Sequence, residues 1–406
     1  MRRLAWGLLV LFAFTIPWEY SLNLGAPLGN VARLAGLLLL LAAVPAVLQA
    51  GRLRPPDALG WMVLAFYLFL CCSYFWTIDP VVTLSKMRAY FQEMMIVWLV
   101  WEFAESPRDL RTLLRAYVAG SWVLAALTVA NFSSAAAMAA SQIRFAAVGQ
   151  DPNDVARFLD LGLPLSALLV NSESRWPARL LALGYLPLGL FAVLLTASRG
   201  GFLAALVALA GCGLLLARNH TNSALAWIIA LPAVASVLWV SVPSGTLARL
   251  ATIPQQIENG DLNQRLNIWS AGWRAFVQAP LCGTGAGTFV SAAGMSPIDT
   301  AHNTALSIVV SGGLCALFLA MAILVLAARA ALQTHGALRL ALVTALLVWA
   351  VTSSVATVEE SRTTWLLFAL IALAGRLAAD EPEALAACFP GPYPPHKLAP
   401  TAAAAV

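Results

Sequence analysis

His302 and two arginines are the residues of this chain whose types suit group-transfer chemistry. His302 ends a polar stretch, residues 243–302, and opens an apolar run, so its imidazole lies between water and lipid. An imidazole titrates near neutral pH and can take a proton from a hydroxyl. Arg265 in the same stretch and Arg199 in a short turn supply permanent charge, and a guanidinium matches phosphate oxygens. A base beside an anion site predicts transfer of a group from an anionic carrier.

Three residues near these are candidates for supporting roles. Arg88 lies near the start of an apolar run on the same predicted side, where it extends the cationic patch. Asn303 directly follows the histidine, and Glu360 precedes the last apolar run at the same side. Glu360 is a candidate to orient His302 or to position an acceptor.

Arg157 is a further candidate whose spacing also suits a structural role. It lies three residues from both Asp154 and Asp160, on one face of a predicted helix. Side chains three apart on a helix are neighbours, so a ladder of intrahelical salt bridges is the favoured interpretation.

The chain has few residues at spacings that would bind a metal ion. The chain has four histidines and six cysteines, no His or Cys pair at metal-ligand spacing, and no Asp-x-Asp. We therefore expect neither a metal nor another cofactor. Most of the cysteines fall in apolar runs, so no structural disulfide is expected.

The composition predicts an all-α polytopic membrane protein. Of 406 residues, 61% are hydrophobic and only 11% are charged, which excludes an ordinary soluble domain. Crossing a bilayer takes about 20 mostly apolar residues, and about twelve runs qualify. They lie near residues 4–17, 31–48, 58–76, 87–104, 113–131, 155–171, 179–196, 200–217, 224–242, 303–327, 338–355 and 362–378. The first is interpreted as a retained helix, because no cleavage site follows it.

The chain divides into four segments on this interpretation. Residues 1–242 carry nine spans, and residues 243–302 form a large outer loop. Residues 303–379 carry the last three spans, and residues 380–406, rich in Pro and Ala, are predicted to be a disordered tail. In the outer loop, an amphipathic helix is predicted from five apolar residues at helical spacing: Leu262, Leu266, Trp269, Trp273 and Phe276.

Lys and Arg set the orientation. With both termini in the cytoplasm, most of the 24 basic residues fall on the cytoplasmic side, as the positive-inside rule requires. Ten remain on the outer side, several of them within apolar runs: Arg33, Lys86, Arg88, Arg144, Arg157, Arg199, Arg249, Arg265, Arg274 and Arg362. Ionisable groups in a span are costly, so an anionic ligand accounts for part of this set and headgroup anchoring for the rest.

One motif carries a resemblance. His302 and Asn303 are followed by nine residues and then Gly313, and two outer arginines, Arg199 and Arg265, accompany them. In these features the chain resembles the O-antigen ligase family of bacterial inner membranes, which shares a domain with O-antigen polymerases and bacterial O-oligosaccharyltransferases. The family often has Gly, Thr or Tyr three residues after the motif glycine, where this chain has Ala316.

The resemblance implies a fold and a reaction. The fold is that of a GT-C-like glycosyltransferase, with the active site on the periplasmic face. The reaction transfers O-antigen polysaccharide from undecaprenyl diphosphate to a sugar hydroxyl of lipid A-core, by metal-independent inverting displacement. His302 would act as the base, and Arg199, Arg265 and Arg88 would bind the diphosphate. The implied partners are these two lipids and the membrane, with no nucleic acid.

The sequence leaves other functions open. An O-antigen polymerase or a protein O-oligosaccharyltransferase would use the same type of donor. A transporter or flippase of lipid-linked glycans would also have many helices and outward arginines, although alternating access places its site near the midplane.

Overall fold

The computed structural model describes residues 1–25, 29–138, 143–217, 240–258, 264–296 and 300–390, together with Ser236 and Gly260. This part of the chain is mostly helical and contains no β-strand. The fold is thus the all-α polytopic membrane fold predicted from the composition. In chain order the helices are α1 (Arg2–Thr15), α2 (Val31–Ala50), α3 (Ala58–Cys72), α4 (Pro80–Phe103), α5 (Pro107–Met138), α6 (Pro152–Ser172), α7 (Trp176–Leu195), α8 (Arg199–Ala217), α9 (Ser244–Ala251), α10 (Ile253–Glu258), α11 (Arg265–Gln278), α12 (Phe289–Ala293), α13 (Thr304–Gln333), α14 (Gly336–Val355), α15 (Arg362–Asp380) and α16 (Pro382–Cys388).

Ten of the described helices are long and apolar enough to cross a membrane. Helix α4, at 24 residues, is long enough as well, but its four ionisable residues keep it out of that group. The predicted span at 224–242 falls almost entirely outside the described residues. The count of twelve spans therefore stays a prediction.

Helices α6 and α15 form the centre of the bundle. In their most apolar windows 89% and 78% of the residues are buried, against 33% for α2 and 28% for the α3 segment. Helix α6 packs against α5, α7, α8 and α14. Helices α2 and α3 thus lie at the periphery, where most of their surface faces lipid.

Helix α13 is broken at Gly313, and a loop closes the break. Gly313 has φ +64° and ψ −163°. The backbone N–H groups of Thr284 and Gly285 donate to the carbonyls of Val310 and Ser311, and those of Leu314 and Cys315 donate to residues 280 and 281, at 2.8–3.1 Å. Backbone groups freed at membrane depth must find protein partners, and here the glycine-rich loop supplies them.

A Cβ at the break would not fit. Added to Gly313, it would lie 2.2 Å from the Leu281 carbonyl oxygen, and added to Gly283 it would lie 2.5 Å from backbone atoms of α13. Ala316, the position that departs from the family motif, is fully buried one turn below the break. The glycines therefore serve close packing of backbone against backbone.

The tail departs from its prediction in one part. Within residues 380–406, predicted to be disordered, Pro382–Cys388 form helix α16, which packs against α5 and α15. Leu385 and Phe389 are buried there, and the Cys388 thiol donates to the Pro107 carbonyl at 3.3 Å. These apolar side chains give the segment a docking face that its Pro and Ala content hides. Residues 391–406 lie outside the described part of the chain.

Candidate functional site

The N-terminal ends of α6, α8 and α11 meet at one cavity of about 270 Å³, which we call the arginine cavity. The C-terminal end of α14 closes it. A helix N-terminus carries about half a positive charge and exposes backbone N–H groups. Three of them around one space favour an anion.

Four arginines line the arginine cavity: Arg157, Arg199, Arg249 and Arg265. None of the described lining residues is acidic. Among the described residues, Asp154 is the acidic residue that forms a salt bridge with one of these arginines, Arg157. The cavity is thus strongly positive and suits a ligand with more than one negative charge.

Arg199 is held by the turn before α8 and by the outer loop. Its Nη2 donates to Thr252 Oγ1 at 2.6 Å, and its Nε donates to the Arg249 carbonyl at 3.4 Å. Arg249 in turn donates through Nε to the carbonyl of Ala197, at 3.3 Å. Ala197 has φ +49°, a left-handed conformation that is costly for alanine. The loop and the turn therefore fix both guanidinium groups at the cavity.

Arg265 is the first residue of α11. A cation at this end of a helix is unfavourable unless an anion compensates it. Burial lowers the pKa of Arg265, and the nearby charge of Arg199 lowers it further. Both effects disfavour the charged guanidinium, and a bound anion would offset them.

Asn153 lines the arginine cavity, and Arg144, which does not line it, holds Asn153 in place. Arg144 Nη2 donates to Asn153 Oδ1 at 2.8 Å, and its Nε donates to the Thr196 carbonyl at 3.1 Å. Ser198 donates to the same Asn153 oxygen at 2.9 Å. Burial lowers the pKa of Arg144, and neighbouring arginines including Arg249 add to this. The signal in the sequence was Arg144's place among the ten outward basic residues.

His302 lies beside the arginine cavity and is half-buried. Trp269, a lining residue, donates through Nε1 to the carbonyl of Ala301 at 3.1 Å. On the other side, the Thr304 hydroxyl donates to the carbonyl of Ala356, another lining residue, at 2.8 Å. His302 is therefore fastened between two walls of the cavity, although it is not itself a lining residue.

The backbone of His302 is strained. Its φ of +48° lies in the left-handed region, which side chains with a Cβ adopt at a cost of about 1–3 kcal/mol. Asn303 caps α13 by accepting from the Leu306 N–H at 2.9 Å, and its amide donates to the Ser354 carbonyl at 3.3 Å. Asn303 thus fixes the start of α13 and the position of the histidine before it.

The predicted ladder on α6 forms in part. Arg157 Nε pairs with Asp154 Oδ1 at 3.0 Å, and its guanidinium lies 4.6 Å from the centroid of the Phe158 ring. Asp160 is completely buried, and neither of its carboxylate oxygens has a hydrogen-bond partner among the described residues. The second rung is therefore absent, because Arg157 turns toward Asp154 and the cavity.

Arg88 is not at the arginine cavity. It lines a second cavity, between α2 and α4, that shares no lining residue with the first. Glu360 is paired with Lys86, so the structure gives it a cation as its partner. Arg88 and Glu360 are therefore not grouped with His302 as topology alone predicted, because a shared membrane side does not fix a position around the bundle.

Glu359 is buried next to the start of α13. Its carboxylate accepts a hydrogen bond from Ser307, and one of its oxygens has no partner among the described residues. Burial and the neighbouring carboxylate of Glu360 raise the pKa of Glu359 to about 7. The segment from Ala356 to Arg362 therefore carries a group that titrates in the physiological range.

Residues 184–321 match the family model for O-antigen ligase. Over these residues the chain is similar to the O-antigen ligase family. The match includes His302, Arg199, Arg265 and Gly313, whereas Arg88 lies outside it. Members of this family are glycosyltransferase-like enzymes, among them ligases and polymerases, and they act on lipid-linked glycans. No curated protein matches the chain.

Proposed function

We propose that the protein is an O-antigen ligase of the bacterial inner membrane. It transfers O-antigen polysaccharide from undecaprenyl diphosphate to a sugar hydroxyl of lipid A-core and so completes lipopolysaccharide. Both termini lie in the cytoplasm and the site faces the periplasm. The observation that carries the proposal is the position of His302, a residue of the segment that matches the family, beside a cavity lined by four arginines.

The reaction is a single displacement. The acceptor hydroxyl oxygen attacks the anomeric carbon of the polysaccharide while His302 takes the hydroxyl proton. The bond from that carbon to the diphosphate oxygen breaks, and its electron pair leaves on the diphosphate. Attack from the side opposite the leaving group inverts the anomeric configuration.

The arginine cavity binds the diphosphate and stabilises the charge that develops on it. Arg199 and Arg265 are the principal ligands, since their positions match the family pattern and both line the cavity. Arg157 and Arg249 add to the field. Fixed cations aimed at a developing negative charge lower the barrier without any metal ion. Asn303 positions His302, and Arg88 has no part in this cavity.

Group transfer fits the site better than transport does. The arginine cavity lies at helix ends, with three N-termini around it, and not halfway along the helices. A carrier with alternating access needs its site near the midplane. A base beside the anion site is also the group that a transfer needs to take the proton of the acceptor hydroxyl.

A deletion strain carrying variants of the gene tests the proposal. His302→Ala is expected to abolish polymer on lipid A-core, seen as loss of the ladder of bands when extracted lipopolysaccharide is separated by electrophoresis. His335→Ala is the matched control, because His335 also precedes a helix but is exposed at the start of α14. Full ladders from a His302→Ala protein present at the wild-type level would refute the assignment.

The same strain separates ligase from polymerase. Loss of a ligase leaves full-length polymer on the carrier lipid and bare core on lipid A. Loss of a polymerase leaves core that bears a single repeat. Polysaccharide attached to a protein in the wild-type strain, and absent from the deletion strain, would instead indicate an O-oligosaccharyltransferase.

A further inference from the structure

The second cavity is larger and more apolar than the first. It has a volume of about 660 Å³, and helices α1, α2, α3 and α4 with the start of α15 form its walls. We call it the lateral groove. Most of its lining residues are apolar, among them Phe12, Leu40, Met95 and Leu99. Its size and lining are those of a site for a ligand with hydrocarbon chains.

Three arginines lie along the lateral groove: Arg33, Arg88 and Arg362. Arg362 is paired with Glu19 and also donates to Gln92 Oε1 at 3.0 Å. Among the described residues, Arg33 and Arg88 have no acidic partner within salt-bridge distance. Two exposed cations next to an apolar wall favour an anion that carries its own hydrocarbon.

The lateral groove opens to the side, toward lipid. Leu37 on α2 and Leu84 and Phe91 on α4 line it and are 52%, 42% and 39% exposed. Both helices lie at the edge of the bundle, since only a third of the apolar window of α2 is buried. A membrane lipid can therefore enter from the bilayer without passing through the protein.

We propose that the lateral groove binds the acceptor, a phosphorylated and multiply acylated glycolipid. Its acyl chains lie against α2 and α4, and Arg33 and Arg88 bind its phosphate. This inference rests on the proposed function, because a transfer between two lipids needs two lipid sites. The arginine cavity suits the donor's diphosphate, and the lateral groove is the separate amphiphilic site.

The two sites lie close enough for one acceptor to serve both. Ala356 lines the arginine cavity and Arg362 lines the lateral groove. The six residues from one to the other span at most about 22 Å even when fully extended. An acceptor anchored in the groove thus needs only the length of its core oligosaccharide to bring a sugar hydroxyl to His302.

Purified protein in nanodiscs tests the groove through the Michaelis constants of the two substrates. For Arg33→Gln with Arg88→Gln, the KM for lipid A-core is expected to rise about tenfold or more, since charge-assisted phosphate contacts are lost. The KM for the undecaprenyl-diphosphate donor stays unchanged. Arg52→Gln is the control, an exposed arginine at the far end of α2. An unchanged acceptor KM, or a rise confined to the donor, would overturn the proposal.

A steric variant tests the apolar wall. Leu37→Trp fills the lateral groove and should raise the acceptor KM, whereas Leu41→Trp should not. Leu41 is one turn further along α2, is 64% exposed and does not line the groove. Equal effects of the two tryptophans would count against a chain-binding groove.

The phosphate is tested with a dephosphorylated lipid A-core. Wild-type protein should use it about tenfold less well than the intact acceptor, and the double arginine variant should use both equally poorly. A wild-type protein that does not distinguish them would show that Arg33 and Arg88 bind something else.

Binding without turnover separates this inference from the proposed reaction. Native mass spectrometry of the wild-type protein and the double variant would compare retention of lipid A-core, undecaprenyl diphosphate and phosphatidylglycerol. Arginine-dependent retention of lipid A-core supports the groove even if no transfer is found, in which case only the reaction fails. Arginine-dependent retention of either other lipid, without lipid A-core, overturns the groove as an acceptor site.

Discussion

The arginine cavity and the lateral groove divide most of the outward basic residues between them. Four lie in the first and three in the second. The cavity is built from helix ends, so backbone N–H groups and guanidinium groups face a small space together. The groove is lined mainly by apolar side chains, so its cations lie beside Leu, Met and Phe. The two spaces therefore suit different ligands: a compact anion in the cavity and an amphiphile in the groove.

The two regions also differ in how their cations are held. Around the arginine cavity, Arg144, Arg199 and Arg249 donate to backbone carbonyls or polar side chains, and burial together with neighbouring arginines lowers the pKa values of Arg144 and Arg265. Along the lateral groove, Arg33 and Arg88 are exposed. A preorganised cluster suits stabilisation of a transition state, whereas exposed cations beside an apolar wall suit capture of a lipid.

The largest effect should follow from replacing the guanidinium groups in the arginine cavity with amines. Arg199→Lys with Arg265→Lys keeps both charges but loses the paired hydrogen bonds of the guanidinium, and kcat/KM for the donor should fall about a hundredfold. The acceptor KM should not change. Arg274→Lys, on the exposed face of α11, is the control. If the acceptor KM rose instead, the division between the two regions would be wrong.

An intermediate effect should follow from Gly313→Ala. The new Cβ meets the Leu281 carbonyl and the φ of +64° becomes strained, so the apparent Tm should fall by roughly 5 °C or more. Transfer should fall as well, because the break sets the height of His302, whereas retention of lipid A-core in the lateral groove should persist. Gly7→Ala, in open space on α1, is the matched substitution. Thermal unfolding in nanodiscs measures both variants.

The smallest effect concerns Glu359, on the segment between the two regions. Because its pKa is raised to about 7, the native state holds this proton more tightly than the unfolded chain does. Its contribution to stability is present below the ordinary pKa of about 4.5 and is lost as the pH rises through 7. Glu359→Gln should therefore raise the Tm at pH 8 and leave it unchanged at pH 4.

Exposed Glu383 on α16 provides the control for that measurement. Glu383→Gln should give the same small shift, or none, at both pH values. A Glu359→Gln protein whose Tm differs from wild type equally at pH 4 and pH 8 would show that packing, and not ionisation, explains its effect.

The fold class could be predicted from the sequence because the length of an apolar run reports a span directly. His302, Arg199 and Arg265 were grouped on the family motif; the structure places both arginines at one cavity beside the histidine, and their roles stay a prediction. Arg88 was misplaced because hydropathy and charge give the depth of a residue in the membrane but not its position around the bundle. Arg249 and Arg144 were recognised only as outward cations, since the turn that positions them becomes apparent only when the outer loop packs on α8.

The Pro and Ala content of the tail misled for a related reason. Composition averages over a segment, and two buried residues, Leu385 and Phe389, are enough to dock a short helix. The role of the glycines in residues 280–289 could not be predicted from their own spacing either. Their role depends on the carbonyls of Val310 and Ser311, which become free only because α13 breaks.

The break at Gly313 gives the spacing of the family motif a structural meaning. Eleven positions separate it from His302, about three turns of helix, and the seam with the loop holds the lower end fixed. The spacing therefore sets both the position of the imidazole along the helix axis and its direction around that axis. One residue inserted between His302 and Gly313 would rotate the imidazole by about 100° around the helix axis, away from the arginine cavity, although the sequence would keep every residue of the motif.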